Sequence, residues 1–191
     1  MNSFYTIDEL KKIGFKQIGE SVLISRKASI YSPELISMGN NVRIDDFCIL
    51  SGKITIGNYI HIAAYSALYG GDEGIVLEDY ANISSRVCIY SISDDYSGNT
   101  MTNPMIPNKY KAVNSAPVNI GKHVIIGSTS VVLPGINIRE GGAFGAFSFI
   151  NRDSEPWSIN VGIPYKKIKA RQKNILELEK KFYKENEIKY V

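Results

Sequence analysis

Aliphatic side chains recur every six residues through most of this chain, a period that belongs to neither common secondary structure. They fall at Ile18, Ile24, Ile30 and Ile36, then, after a shift of two, at Met38, Ile44, Leu50, Ile56, Ile62 and Leu68. The frame moves again, resumes at Leu77, Ile83 and Ile89, breaks for a long stretch, and returns at Ile120, Ile126, Val132, Ile138, Phe144 and Ile150. A helix repeats near 3.6 residues and a half-buried strand near 2. Four residues after the aliphatic comes a second small or β-branched residue, as at Val22, Val42, Cys48, Ile60, Ser66, Val87, Val124 and Ser130. Glycine often follows the aliphatic directly, as at Gly19, Gly39, Gly57, Gly121, Gly127 and Gly145, which suits a turn of positive φ. An all-β solenoid with three short strands per turn satisfies the pattern, each aliphatic pointing inward and stacking on its counterparts. At about 18 residues per turn, these positions make about six turns.

Both ends read as caps, which a solenoid needs. Thr6 and Glu9 stand in capping-box spacing, so a short helix is expected in residues 1–17. The solenoid is expected over 18–164, with an inserted loop at 90–119, and a basic C-terminal helical segment over 165–191. Within that segment, 173–187 carries Ile175, Leu178 and Phe182 at helical spacing, and is expected to pack on the last turn or on a neighbouring subunit. The net charge of +3 is too small to argue for nucleic acid. No apolar run approaches the ~18 residues of a membrane span. The start, MNSFYTIDEL, has neither a basic nor an apolar leader region, and Cys48 and Cys88 make no disulfide framework or zinc site. A cytoplasmic location without a metal is therefore expected.

The hexad pattern resembles the hexapeptide-repeat family, whose fold is the left-handed parallel β-helix; the left hand is what the resemblance implies. The ending VGIPYKKIKAR (161–171) and the stretch IGSTSVVLPGINI (126–138) are similar to acyl-CoA-dependent members. Coenzyme A needs a long groove, reachable backbone amides for its pantetheine arm and cations for its phosphates. By this resemblance Ser128, Ala146, Asn151, Arg152, Lys166 and Lys169 are the expected cofactor positions. The loop at 90–119 is expected to help form the acceptor site against the next subunit, which implies a homotrimer.

Family members that acylate hydroxyls carry a general-base histidine at the start of this loop. Aligning LEDYANISSRVCIYSISDD places that position at Asp94, and the loop holds no histidine. A sugar hydroxyl needs a base. An amine, once deprotonated, attacks a thioester without one, and a carboxylate can hold and orient it. Asp94 is the expected holder of an amino sugar, with Asp95 beside it. Ser84, next to Ser85 on the preceding turn, is expected to relay a proton to the departing thiolate. The motif "SS…IYS-S-DDYSG" looks like that of the N-acyltransferases of nucleotide-linked amino-dideoxy sugars, the anthrose-type dTDP-4-amino-4,6-dideoxyglucose enzymes among them. The resemblance implies acetyl- or 3-hydroxybutyryl-CoA as donor and a product destined for surface polysaccharide.

His61 has its own place in the pattern. If the three extra residues between Ile62 and Ile83 bulge at Gly70–Gly74, His61 sits one rung below Asn82 and reaches the acceptor site. It is expected to bind sugar, and it would be the base if the acceptor were a hydroxyl, the O-acetyltransferase alternative. His123 is expected near the cofactor cleft with no base role. A non-catalytic scaffold is the remaining alternative, which the coenzyme-A-type ending opposes.

Overall fold

A computed structural model describes residues 3–186. The chain winds through three faces, and the hexad residues form three columns. On the first face Ile18, Met38, Ile56, Leu77, Ile120 and Ile138 pair in register. On the second, Ile24, Ile44, Ile62, Ile83, Ile126 and Phe144 do the same. On the third, Ile30, Leu50, Leu68, Ile89, Val132 and Ile150 complete the core. Every pairing between turns is parallel. All these residues are buried except Ile18 and Ile30, half-buried in the first turn. Burying an aliphatic side chain stabilises by about 1.5–3 kcal/mol, so the columns account for why so many two- and three-residue strands persist. The second face is an eight-stranded sheet whose last strand, Lys166–Ala170, is antiparallel; the other seven mark about seven turns of the left-handed parallel β-helix.

The expected bulge is present. Leu50 pairs with Leu68 but Ile54 with Ile75, so three residues are absorbed around Gly70–Gly74 and Ile62 stacks under Ile83. The long insertion leaves after Tyr90 and rejoins at Val118.

The glycines act differently from expectation. The glycines after the hexad aliphatics do not have positive φ; that conformation falls on the non-glycine corner residues Asn41, Tyr59, Tyr80 and His123, and on Phe47, Tyr65, Arg86, Thr129 and Phe147. What excludes a side chain at Gly127 is the next turn, since a Cβ there would lie 2.5 Å from the Ala146 amide nitrogen.

Helix α1 (Ile7–Ile13) has the expected capping box: the Thr6 amide donates to Glu9 at 2.7 Å and the Glu9 amide to the Thr6 hydroxyl at 3.3 Å. The C-terminal segment begins as the strand Lys166–Ala170, and only then forms helix α2 (Asn174–Glu185). Met1, Asn2 and 187–191 lie outside the described residues, including the last position of the expected helix. Helix α2 does not pack on the last turn alone, and its apolar stripe supplies only part of the contact. It lies along the corner between the first and second faces, where Tyr59, Tyr80 and His123 stack at 5.2 and 5.0 Å. Phe182 meets Tyr59 edge-on, but Leu178 is 64% exposed and the buried residue is Glu179. Its carboxylate accepts from Lys122 Nζ at 2.6 Å and pairs with His123 Nε2 at 2.7 Å. The corner offers donors there, so a carboxylate rather than a leucine docks the helix. His123 is thus a docking residue under α2.

Burial alone would raise the Glu179 pKa, but the Lys122 and His123 hydrogen bonds outweigh it and hold the carboxyl below its usual 4.5. Its stabilising contribution is therefore complete above about pH 4.5 and is lost as pH falls through the depressed value. Glu179→Ala leaves Lys122 and His123 without their carboxylate and is expected to cost about 3 kcal/mol. Urea unfolding at pH 7 checks this, and the difference from the unaltered protein should shrink in acid. Gly127→Ala, which pushes a methyl into the next turn, should cost about 2 kcal/mol by the same measurement.

Candidate active site

The corner between the second and third faces carries a strip without large side chains. Asp45, Ala63, Ser84 and Gly127 follow one another up this corner, each amide donating to the next turn's carbonyl at 2.8–3.0 Å. Ala64, Ser85, Ser128 and Ala146 form the neighbouring column. Ser84, Ser85 and Ser128 are half-buried and Ala146 is exposed. Such residues leave the corner backbone within reach of a slender cofactor arm. Beside them the positive-φ column holds the larger side chains: Phe47 stacks on Tyr65 at 4.9 Å, and Arg86 lies over Tyr65.

The insertion starts from the far edge of the third face. Ser91 is buried, its hydroxyl donating to the Tyr69 and Gly70 carbonyls. The strands Ile92–Asp94 and Val113–Ser115 then form an antiparallel hairpin in which Asp94 pairs with Val113. Between this insertion and the third face lies an open cleft of about 1570 Å³. Its floor includes Tyr69 and Tyr90, stacked at 5.1 Å, with Val131 and Phe149 beside them. Burial pushes the Tyr90 hydroxyl pKa up to about 12.

The two aspartates differ. Asp94 is exposed at the cleft and accepts a single long hydrogen bond, from the Asn103 amide at 3.4 Å. Asp95 accepts from the Ser97 amide and hydroxyl at 2.8 Å and from the Thr100 hydroxyl at 3.0 Å. The Ser97 amide and these hydroxyls hold its carboxyl below the usual range. Asp95 therefore closes an Asx turn and holds the loop beside Asp94.

Of the expected site residues, Asp94, Asp95 and Asn151 line the cleft, whereas Ser84, His61, Ser128 and Ala146 do not. The third face separates the corner bearing Ser84 from the edge bearing Asp94, so one protomer does not bring this pair together. At the cofactor ending, Gly162 (φ 105) turns Ser158–Val161 back onto Lys166–Ala170. Arg152 donates to the Tyr165 carbonyl at 2.6 Å and lies 4.7 Å over its ring, so it holds this turn in place. Lys166 and Lys169 are exposed and in no ion pair among the described residues. Arg171 is spent on the His123 and Gly141 carbonyls at 2.7 and 3.1 Å, and burial lowers its pKa.

His61 Nε2 lies 2.8 Å from Asp45 Oδ2, while Arg43 Nε donates to Asp45 Oδ1 at 2.7 Å. Sequence reasoning missed Asp45. The available signal was the stacking itself: Arg43 lies under His61, and Asp45 is two rungs below Ser84. Among the described residues no group of three acidic, histidine or cysteine side chains could hold a metal, and no helix is long and apolar enough to cross a membrane.

No protein-family model matches the chain. It is 54% identical over 177 residues to dTDP-4-amino-4,6-dideoxy-D-glucose acyltransferase of Escherichia coli, covering 91% of this chain and 92% of that one. The solved structure of AntD, an N-acyltransferase from Bacillus cereus, with dTDP and 3-hydroxybutyryl-CoA superposes with a TM-score of 0.96 at 58% identity, over 98% of this chain and all of that one. A point variant of AntD holding dTDP-4-amino-4,6-dideoxyglucose and coenzyme A gives 0.95 at 58% identity, over 97% of this chain and 100% of the other. With identity of this level spread over nearly the whole solenoid, loop and ending, the chain belongs to the family of nucleotide amino-sugar N-acyltransferases that these proteins represent.

Proposed function

We propose that the protein transfers an acyl group from acyl-coenzyme A to the 4-amino group of dTDP-4-amino-4,6-dideoxyglucose. The observation that carries this reading is Asp94: an exposed carboxylate with one long hydrogen bond stands where hydroxyl-acylating relatives place a histidine. A carboxylate there suits an ammonium or amine and does little to activate a sugar hydroxyl. The amine nitrogen attacks the thioester carbonyl, a tetrahedral oxyanion forms, and the C–S bond breaks. Ser84 relays a proton to the sulfur. Ser128 and Ala146 border the pantetheine arm, while Lys166 and Lys169 meet its phosphates; Asn151, exposed at the cleft, lies on the cofactor side. His61 faces the sugar. The product is a building block for surface polysaccharide, made in the cytoplasm.

The separation of Ser84 from Asp94 by the third face supports a site assembled between copies, three in a closed ring. The loop carries apolar side chains suited to such a contact, Tyr96 and Met105 being 93% and 87% exposed.

Mass spectrometry of products from a panel of amino-sugar nucleotides with acetyl- and 3-hydroxybutyryl-CoA tests the reaction; an amide of the dTDP-amino sugar is the expected product. Asp94→Ala should lower kcat/KM for the amino sugar about 100-fold while leaving coenzyme A affinity unchanged by calorimetry. Full activity of that variant would remove Asp94 from the mechanism. Light scattering should give the mass of three chains.

A further inference from the structure

The outward column of the second face runs Leu23, Arg43, His61, Asn82 and Ile125. His61 is one rung below Asn82, and Ser84 follows Asn82 by two residues, at the start of the small-residue corner. Asp45 lies in the same corner column as Ser84, with only the methyl of Ala63 between them. Successive rungs are about 4.8 Å apart, so the Arg43–Asp45–His61 group sits at the foot of the bare strip. The His61 side chain is 43% exposed, whereas Asp45 is only 18% exposed. His61 bonds Asp45 through Nε2, and Nδ1 makes no hydrogen bond among the described residues.

We propose that Asp45 is a positioning residue that holds His61 with Nε2 protonated and Nδ1 free, and that Nδ1 takes the proton of the acceptor ammonium. This rests on the amino-sugar reading, and it supplies what that reading lacks. An alkylammonium is almost fully protonated at neutral pH, and only its free amine attacks. A carboxylate that accepts the Nε2 proton sets the tautomer. Although burial opposes it, hydrogen bonds from Arg43 and His61 hold the Asp45 carboxyl below its usual range, so it is a carboxylate at neutral pH.

The charged groups facing His61 are Asp45 and Arg43; Asn82 on the rung above is neutral. Asp46, round the corner, is committed to the Ser25 hydroxyl at 2.5 Å and to Lys27 at 2.9 Å. In the step, an N–H bond of the ammonium breaks and Nδ1–H forms. The freed amine displaces coenzyme A, and the proton then shed by the new amide nitrogen goes to the thiolate by way of Ser84. The imidazolium returns its proton to water, so one amide, one thiol and one proton leave.

The test is the pH profile of kcat/KM for dTDP-4-amino-4,6-dideoxyglucose with a saturating acyl-CoA. Turnover by the unaltered protein establishes the parent reading independently; no turnover would defeat that reading and this one with it. Given turnover, Asp45→Asn should lower kcat/KM about 10–100-fold near neutral pH, and the deficit should shrink at alkaline pH, where the acceptor is already free amine and needs no base. His61→Ala should show the same deficit near neutral pH and the same recovery at alkaline pH, Asp45→Glu should restore part of the rate, and acyl-CoA KM should hold in all three. If His61→Ala keeps full activity, or the Asp45→Asn deficit is the same at every pH, His61 and Asp45 are structural and the proposal falls, while the N-acyltransferase reading stands.

Discussion

Everything in this molecule depends on the vertical stacking of identical positions on successive turns. An inward aliphatic is satisfied only if the residue above and the residue below are also inward, and the parallel backbone ladder enforces the same register. A slip of one residue would turn a whole column outward. Extra residues can therefore enter only where they leave both neighbouring strands in register. The two insertions obey this. Three residues are absorbed around Gly70–Gly74, after which Ile75 still pairs with Ile54. The longer one leaves after Tyr90 and rejoins so that Val118 pairs with Ile75. The top of the second column ends on Asn160, whose amide donates to the Ala143 and Ser158 carbonyls. A polar residue there ends the aliphatic column, and the closing antiparallel strand sets Lys167 opposite it.

The same repetition makes the corners into parallel tracks with different uses. Their backbones are alike, with one residue of positive φ per corner, so the difference lies in side chains. Between the first and second faces the track holds Tyr59, Tyr80 and His123, a continuous aromatic surface that receives α2. Between the second and third faces the positive-φ positions carry Phe47, Tyr65 and Arg86, and it is the columns beside them whose serines, glycines and alanines leave the backbone bare. A helix thus occupies one corner of the repeated shape, while the small residues keep another open.

The hexads of Ile, Leu and Val were legible because core burial is read by one side chain at a time and repeats many times. Helix α1 was legible because Thr6 and Glu9 act locally. What escaped reading depends on contacts between distant segments. Glu179 looks like a solvated helix residue until Lys122 and His123 are brought against it from 56 or more residues away. The glycines invite a φ argument, yet Gly127 is small because of Ala146 on the next turn. In the candidate site, Asp94 and Asp95 are adjacent and chemically identical, and only the loop's folding distinguishes the one closing a turn from the one left free. Asp45 bears on the site solely through His61, a partner on another turn.

The absent loop histidine ties these strands together. Acylating a hydroxyl requires a base that removes a proton during attack, so the base must touch the acceptor oxygen. An ammonium needs its proton removed before attack, and the group that does so can stand off to one side while another holds the nitrogen. That relaxes the geometry. A carboxylate on a projecting loop can do the holding, and the proton can leave toward a histidine built into the solenoid wall. The rigid wall is the better place for the group whose tautomer matters, because register fixes His61 over Arg43 and beside Asp45. The loop, drawn in at its root by Ser91 and braced by Asp95, is the better place for the group that must meet the sugar. Asp94 and His61 stand on opposite sides of the third face, so an acceptor that met both would lie between a loop and a wall from different copies.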